Sequence, residues 1–247
     1  MPAFETERAA LAYLARGWSV VVVQPRAKRP IVRWQAFQRR LPGEDEVRVW
    51  LARHPDANLA IVTGALSGLV VLDVDPRHGG IASLERWERA YGLLPPTVES
   101  QTGGGGRHLY FDHPGRELRN RVGLAPGLDL RGDGGVIVAP PSIHPSGGSY
   151  RWILGHSPDD LPPAPIPPWL LEIARGEAPA AADSTRSWRQ RAVQTMSEGE
   201  RNDAVASFTG HLLWHGIDPE IARELMLCWN RAHCRPPLRL DGAPRRR

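Results

Sequence analysis

Gly68-Leu69-Val70-Val71-Leu72-Asp73-Val74-Asp75 is an apolar run that closes on two acids one residue apart. A continuous stretch of valine and leucine of this length reads as a strand buried on both faces. Side chains two apart on a strand share a face, so Asp73 and Asp75 are expected to project together with Val74 packed behind them. Two carboxylates held that close repel one another. A divalent cation relieves the repulsion, and hard carboxylate oxygens suit magnesium or manganese. A strand ending in a solvated acidic turn looks the same, so the pair needs company before it means a metal site.

Upstream, residues 5–16 are strong helix formers that stop at Gly17, and Trp18 to Val23 then reads as a second buried strand. A polar loop carrying Lys28, Pro30 and Trp34 follows, Trp34 being assigned to the core. A helix is expected over Glu44 to Arg53 and another strand over Asn58 to Thr63. Downstream, a helix over Ser83 to Tyr91 precedes short strands at 97–102, 107–112, 127–131, 135–139 and 149–153. An α/β first part followed by a β-rich second part predicts an α+β fold. Pro158 to Pro168 should run extended before a short helix at Trp169 to Arg175. The chain is expected to divide into a first domain over 1–175, a linker over 176–196 and a small helical domain over 197–240. The helices of the small domain are expected at Arg201 to His215 and Pro219 to His233, and the basic tail 241–247 is expected to be disordered.

The composition narrows the class. Across 247 residues the apolar fraction is 41% and the charged fraction 23%, ordinary for a soluble globular protein. No apolar run approaches the roughly 20 residues that cross a bilayer, and the N-terminus lacks the pattern of a signal peptide, so no membrane partner and a cytoplasmic location are expected. Two cysteines, Cys228 and Cys234, are too few for a disulfide framework. The formal charge of +4 fits a polyanionic partner. That basic charge is almost all arginine, Lys28 being the one lysine.

Three further segments carry chemistry. Thr102-Gly103-Gly104-Gly105-Gly106-Arg107-His108 leads four glycines straight into a strand. Glycines let backbone N–H groups approach phosphate oxygens, which marks Gly105 and Gly106, and His108 at the strand start can reach the same phosphate. In Gly127-Leu128-Asp129-Leu130-Arg131, Asp129 and Arg131 share a strand face, giving a third carboxylate beside a cation suited to phosphate. Asp133, within Gly-Asp-Gly-Gly, reads as a turn residue. Ser142 and His144 stand in a stiff proline-framed loop that could clamp a triphosphate or a sugar. There is no Walker-type phosphate loop and no dinucleotide-binding glycine fingerprint. His211, His215, Cys228 and Cys234 could together ligate zinc, but their spacing matches no usual finger, and helix packing is the preferred reading.

These blocks, in this order, resemble the prim-pol (bifunctional DNA primase/polymerase) domain of plasmid and phage replication proteins, in the archaeo-eukaryotic primase superfamily. The resemblance covers roughly residues 8–170 and rests on Lys28-Arg29-Pro30 with Trp34, Leu72 to Asp75, Thr102 to His108, Leu128 to Gly132 and Val138 to His144. It implies an RRM-like catalytic palm packed on a second α/β unit. It further implies two catalytic metal ions on Asp73, Asp75 and Asp129, and nucleotide phosphate on His108, with Arg131, Ser142, His144 and Lys28 as further nucleotide or template contacts. The implied partners are a single-stranded DNA template with its primer, ribo- or deoxynucleoside triphosphates, and a helicase on a separate chain. Residues 197–238 resemble the small helical domain that follows many such primases, through Glu198 to Asn202, Trp229-Asn230 and Pro236-Pro237-Leu238. The expected activity is template-dependent nucleotidyl transfer to a 3′-hydroxyl. Metal-dependent phosphodiester hydrolysis and non-catalytic nucleic-acid binding are the alternatives, since carboxylates with a histidine also suit hydrolysis.

Overall fold

A computed structural model describes residues 3–177, 193, 195–197, 201–214 and 217–238. Contacts divide the chain into two units, residues 1–181 and 182–247. In chain order the first unit holds α1 (Ala3–Ala15), β1 (Ser19–Val23), a 3-10 turn at Trp34–Gln38, α2 (Glu44–Arg53), β2 (Asn58–Val62) and β3 (Leu69–Val74). A 3-10 turn at Pro76–His78, α3 (Gly80–Tyr91), β4 (Val98–Gln101), β5 (Arg107–Asp112), β6 (Arg121–Ala125) and β7 (Leu128–Arg131) follow. β8 (Val136–Ala139), β9 (Ser142–Ile143), β10 (Ser149–Trp152), β11 (Ala164–Pro165) and α4 (Pro168–Arg175) complete it. No helix among the described residues is long and apolar enough to cross a membrane.

The strands form two sheets. β1, β2 and β8 make an antiparallel three-stranded sheet, and every residue of β1 and β2 is buried, which accounts for their unbroken apolar runs. The larger sheet runs β6-β7-β3-β5-β4-β10-β9, antiparallel throughout, with β11 added parallel to β5. The fold is α+β, as the order of elements predicts.

Alternation along β3 assigns its two faces. Val70, Leu72 and Val74 join Leu109, Phe111, Leu128 and Leu130 in a core closed by Leu84 of α3 and by Trp169 and Leu170 of α4. Leu69 and Val71, on the other face, share a core with Tyr110, with Val20, Val22, Leu59 and Ile61 of the smaller sheet, and with Tyr13 of α1 and Leu51 of α2. Each fully buried leucine or valine contributes about 1.5–3 kcal/mol of transfer free energy. β3 is therefore packed hard on both sides until it reaches Asp73.

Five elements depart from the expectation. The loop around Trp34 contains a 3-10 turn whose Phe37 is buried and whose Trp34 packs partly against the core, while β9 and β11 are two-residue strands. β6 is an edge strand with Arg121, Val122 and Gly123 exposed, so it lacks the alternation that betrays a strand. α3 starts at Gly80 rather than Ser83. Gly80 is required there because a side chain would stand 2.5 Å from the Gly127 carbonyl oxygen.

In the second unit α5 (Arg201–Trp214) and α6 (Pro219–His233) pack around Met196, Ala204, Phe208, Met226 and Cys234. Asp218 caps α6 by accepting from Glu220 N–H at 2.9 Å. Asn230 closes the unit, donating to the Leu238 carbonyl at 2.7 Å and accepting from Leu238 N–H at 2.9 Å. Of the zinc candidates, His215 and the His211 side chain lie outside what is described, Cys228 is exposed and Cys234 is buried. Most of the expected linker and all of the basic tail also lie outside the described residues.

Asp133 ties three loops of the first unit together. Its carboxylate accepts from Ala65 N–H at 2.9 Å and Leu118 N–H at 2.8 Å, and lies 3.2 Å from His113 Nε2. Burial alone would raise its pKa, but the two N–H donors and His113 outweigh burial and lower it. Asp133→Ala is expected to cost about 2–4 kcal/mol in urea unfolding, since it orphans two main-chain donors. A carboxylate whose native pKa is depressed stabilises above its unfolded value of about 4 and loses that contribution as pH falls through the native value. The gap between wild type and variant should therefore narrow toward pH 3; a gap constant from pH 7 to pH 2 would show that the charge is irrelevant.

Candidate active site

β3 is paired on both edges, and the registers bring the acids together. Asp73 stands opposite Asp129 of β7 on one side and opposite His108 of β5 on the other, with Ser100 of β4 opposite His108. Directly paired residues share a face, so Asp129, Asp73, His108 and Ser100 form one row across four strands. The adjacent row on that face is Arg131, Val71, Tyr110 and Val98. The apolar core of that face thus runs directly into the charged row.

Within the row the groups are unequally satisfied. Asp129 accepts from Gly123 N–H at 2.7 Å and from the Arg131 guanidinium at 2.9 Å. Asp73 accepts no hydrogen bond among the described residues; His108 Nε2 is 3.6 Å from one of its oxygens and Arg131 is 4.0 Å from the other. Burial raises the Asp73 pKa against the charges of Lys28 and Arg131, and the neighbouring Asp129 and Asp75 push the same way as burial. His108 is 3% exposed, and burial, reinforced by the Lys28 and Arg131 charges, drives its pKa down to about 3. Its Nδ1 makes no hydrogen bond of ordinary geometry, although the Val138 carbonyl lies close enough to favour the protonated ring.

Asp75 is placed differently from its expected position. β3 ends at Val74, and Asp75 caps the 3-10 turn Pro76–His78, accepting from Arg77 N–H at 2.9 Å and meeting His78 Nδ1 at 2.7 Å. Burial would raise its pKa, but the bonds from His78 and Arg77 N–H prevail and lower it. Asp73 feels the charge of both Asp129 and Asp75, yet among the described residues no three His, Cys, Asp or Glu side chains converge as a preformed metal cage. An Asp-Pro pair is a recognisable turn or helix cap, and that signal in the sequence identifies His78.

The glycine loop owes its composition mainly to packing. Side chains on Gly103 and Gly106 would stand 2.1 Å from the Gly148 carbonyl oxygen and 2.6 Å from the Val74 carbonyl oxygen, while Gly105 has φ +89°. The Gly105 and Gly106 N–H groups are taken by Thr102, at 3.0 Å to its carbonyl and 2.9 Å to its hydroxyl. Of the residues expected to touch phosphate, these two have their donors engaged inside the loop.

His144 and Lys28 come to the site; Ser142 does not. Ser142 is buried and its hydroxyl bonds the Leu59 main chain, accepting from N–H at 3.0 Å and donating to the carbonyl at 3.3 Å. His144 Nδ1 lies 2.8 Å from the Ser146 hydroxyl and 3.1 Å from Ser146 N, and its Nε2 faces Gly104. Burial lowers the His144 pKa, and the Lys28 and Arg77 charges add to it. Lys28 is exposed, and its charge reaches Asp73, His108 and His144 alike. Tyr150, which no pattern in the sequence marked, sits between the histidines with ring centres 5.9 Å from His108 and 6.0 Å from His144. Burial and the Asp73 charge push its hydroxyl up to about 12.

The comparison with known families agrees with this architecture. The family description of the Prim-Pol domain (bifunctional DNA primase/polymerase, N-terminal) matches residues 10–169. The chain belongs to this family, a DNA primase/polymerase family. No match was found among curated proteins.

The site predicts its own proton inventory. The His108 ring should stay neutral from pH 5 to pH 8, since its native pKa is about 3. Its imidazole resonances should show no titration over that range in a pH series by NMR; a midpoint near 6 would contradict the enclosed ring. A histidine buried neutral binds fewer protons than its unfolded counterpart, so this group makes stability fall as pH drops below about 6.5.

Proposed function

We propose that the chain is a template-dependent DNA primase/polymerase that transfers nucleotides to a 3′-hydroxyl with two divalent metal ions, magnesium or manganese. The observation that carries this reading is Asp73: a mostly buried carboxylate that accepts no hydrogen bond among the described residues, facing a second carboxylate in register on the next strand. A buried acid without donors is costly unless it is neutral or meets a cation. Hard oxygen donors arranged so fit a divalent metal. Asp73 and Asp129 would hold the ions directly, and Asp75 would join them on releasing His78. Bound ions would supply positive charge to the triphosphate and ease deprotonation of the attacking hydroxyl.

The chain's own residues supply the rest. Arg131 is a fixed cation between the two acids, placed to take phosphate charge. Lys28 and Arg77 bring further positive charge from two loops. His144 would present its Nε2 to phosphate or sugar. His108, enclosed beside Asp73, holds the carboxylate's surroundings more than it reaches outward. The engagement of Asp75 by His78 favours one competing reading, a site that binds nucleotide without transferring it.

Primer extension separates these. With a primed single-stranded template, nucleotides and magnesium or manganese, the wild type should lengthen the primer, and Asp73→Asn and Asp129→Asn should each lower incorporation by about 100-fold or more. Shortening of the oligonucleotide without added nucleotide would support hydrolysis instead. Undiminished incorporation by the Asp73→Asn/Asp129→Asn double variant would sink the metal assignment.

A further inference from the structure

From Arg8 to Gly43 the chain carries eight cations and no acid, an imbalance found nowhere else in it at that length. Six of the eight, Arg26, Lys28, Arg29, Arg33, Arg39 and Arg40, fall within residues 24–40. Arg40 is paired with Glu46, but the other five enter no ion pair among the described residues, and all five are exposed. Unpaired exposed cations on one short segment make a local positive field that folding itself does not need.

The segment is ordered rather than loose. Gln24 N–H donates to the Arg29 carbonyl at 2.9 Å, Ala27 N–H to Gln24 at 3.1 Å and Ile31 N–H to Val22 at 3.0 Å, so residues 24–30 form a tight hairpin rooted on β1. At its turn Arg26 holds φ +50°, a left-handed backbone that a residue of its size adopts at some cost. The hairpin leads into the 3-10 turn Trp34–Gln38, which rests on β1 and β2.

One end acts on the acidic row by its charge, and the other meets the loop between β7 and β8. Lys28 at the hairpin lies within electrostatic reach of Asp73 and His108. At the other end Gln38 Oε1 lies 3.9 Å from where a side chain on Gly134 would begin, three residues beyond Arg131. Beside the hairpin Pro25 and Arg26 help wall a cavity of about 460 Å³ whose lining also includes Ala57, Asn58, Ile143 and one carboxylate, Asp56. That volume is in the range of small-molecule sites and has room for an unstacked base.

We propose that this basic hairpin and the turn after it are the track for a single-stranded DNA chain entering the site, its phosphates on Arg26, Arg29 and Arg33. The inference rests on the polymerase reading for its purpose but not for its test. A line of cations beside a cavity suits a single strand, whose phosphates follow the charge while a base turns aside. A duplex would hold its bases stacked and leave the cavity unused.

The test is fluorescence anisotropy of a labelled single-stranded oligodeoxynucleotide, with EDTA and no nucleoside triphosphate, over a series of salt concentrations. Arg26→Gln/Arg29→Gln/Arg33→Gln is compared with Arg53→Gln/Arg89→Gln/Arg116→Gln, which removes the same charge from exposed arginines elsewhere. The hairpin variant should bind about tenfold or more weakly, and its slope of log affinity against log salt should fall by about 2, three contacts at about 0.7 each. The control variant should keep the wild-type slope. Equal losses in both variants, or none in the hairpin variant, would overturn the proposal. If the hairpin variant fails to fold, ultraviolet cross-linking of the wild-type protein to a thymine-rich strand decides: adducts within residues 24–40 support the track, and adducts only elsewhere exclude it. Binding at the hairpin without incorporation would refute the catalytic reading alone, and incorporation with binding elsewhere would refute this inference alone.

Discussion

Everything at the site depends on β3 being paired along both edges while both of its faces are buried. Register in a sheet is enforced by side-chain alternation, because a one-residue slip exchanges the faces of the whole strand. Here a slip would carry Val70, Leu72 and Val74 out of the core beneath α3 and α4 and push Asp73 into it. Burying the Asp73 charge among those apolar side chains would cost several kcal/mol, comparable to the entire stability of a small domain. The apolar packing on one face therefore fixes where the acid stands on the other, and with it the alignment of Asp73 with Asp129 and His108.

That fixed row is electrostatically unfinished. Asp129 has a backbone donor and a guanidinium, whereas Asp73 has neither at bonding distance. His108 could have neutralised Asp73, but its burial and the two nearby cations keep the ring uncharged. Balance is left to groups outside the row: Arg131 at 4.0 Å, and Lys28 on an exposed loop where water and salt weaken its reach. The acid thus retains a need for positive charge that its folded surroundings do not meet, and on the proposed reading this need is what recruits metal.

The sequence disclosed what depends on local pattern and withheld what depends on distant approach. α2 and α6 run over the residues expected, because Gly43 precedes the acidic first turn of one and Asp218-Pro219 begins the other. β1, β2 and β3 were legible as unbroken apolar runs. β6 was not, because an exposed edge strand has no buried face to write a period into the chain. At the site, Asp73, Asp129 and His108 were readable from strand alternation. The true constraint on Gly103 was not, since it comes from Gly148, far along the chain. Nor was the diversion of Ser142 to the Leu59 main chain, or the seat of Tyr150 between two histidines. Hydroxyls and rings reveal their partners only once the strands are in place.

The three acids are not interchangeable, and the difference follows from where β3 stops. Asp73 lies inside the ladder and has little freedom to turn away. Asp75 lies one residue past it, where the chain begins a turn whose first N–H groups need an acceptor, and its carboxylate serves them together with His78. A hydrogen bond from a charged or polar partner at an exposed position is worth about 1 kcal/mol net, far less than a divalent ion can return to a carboxylate beside two others. On the proposed reading the cap is a resting state that an ion would displace without disturbing the sheet. Asp73 and Asp129 would then define the position of the site, and Asp75 would adjust to what occupies it.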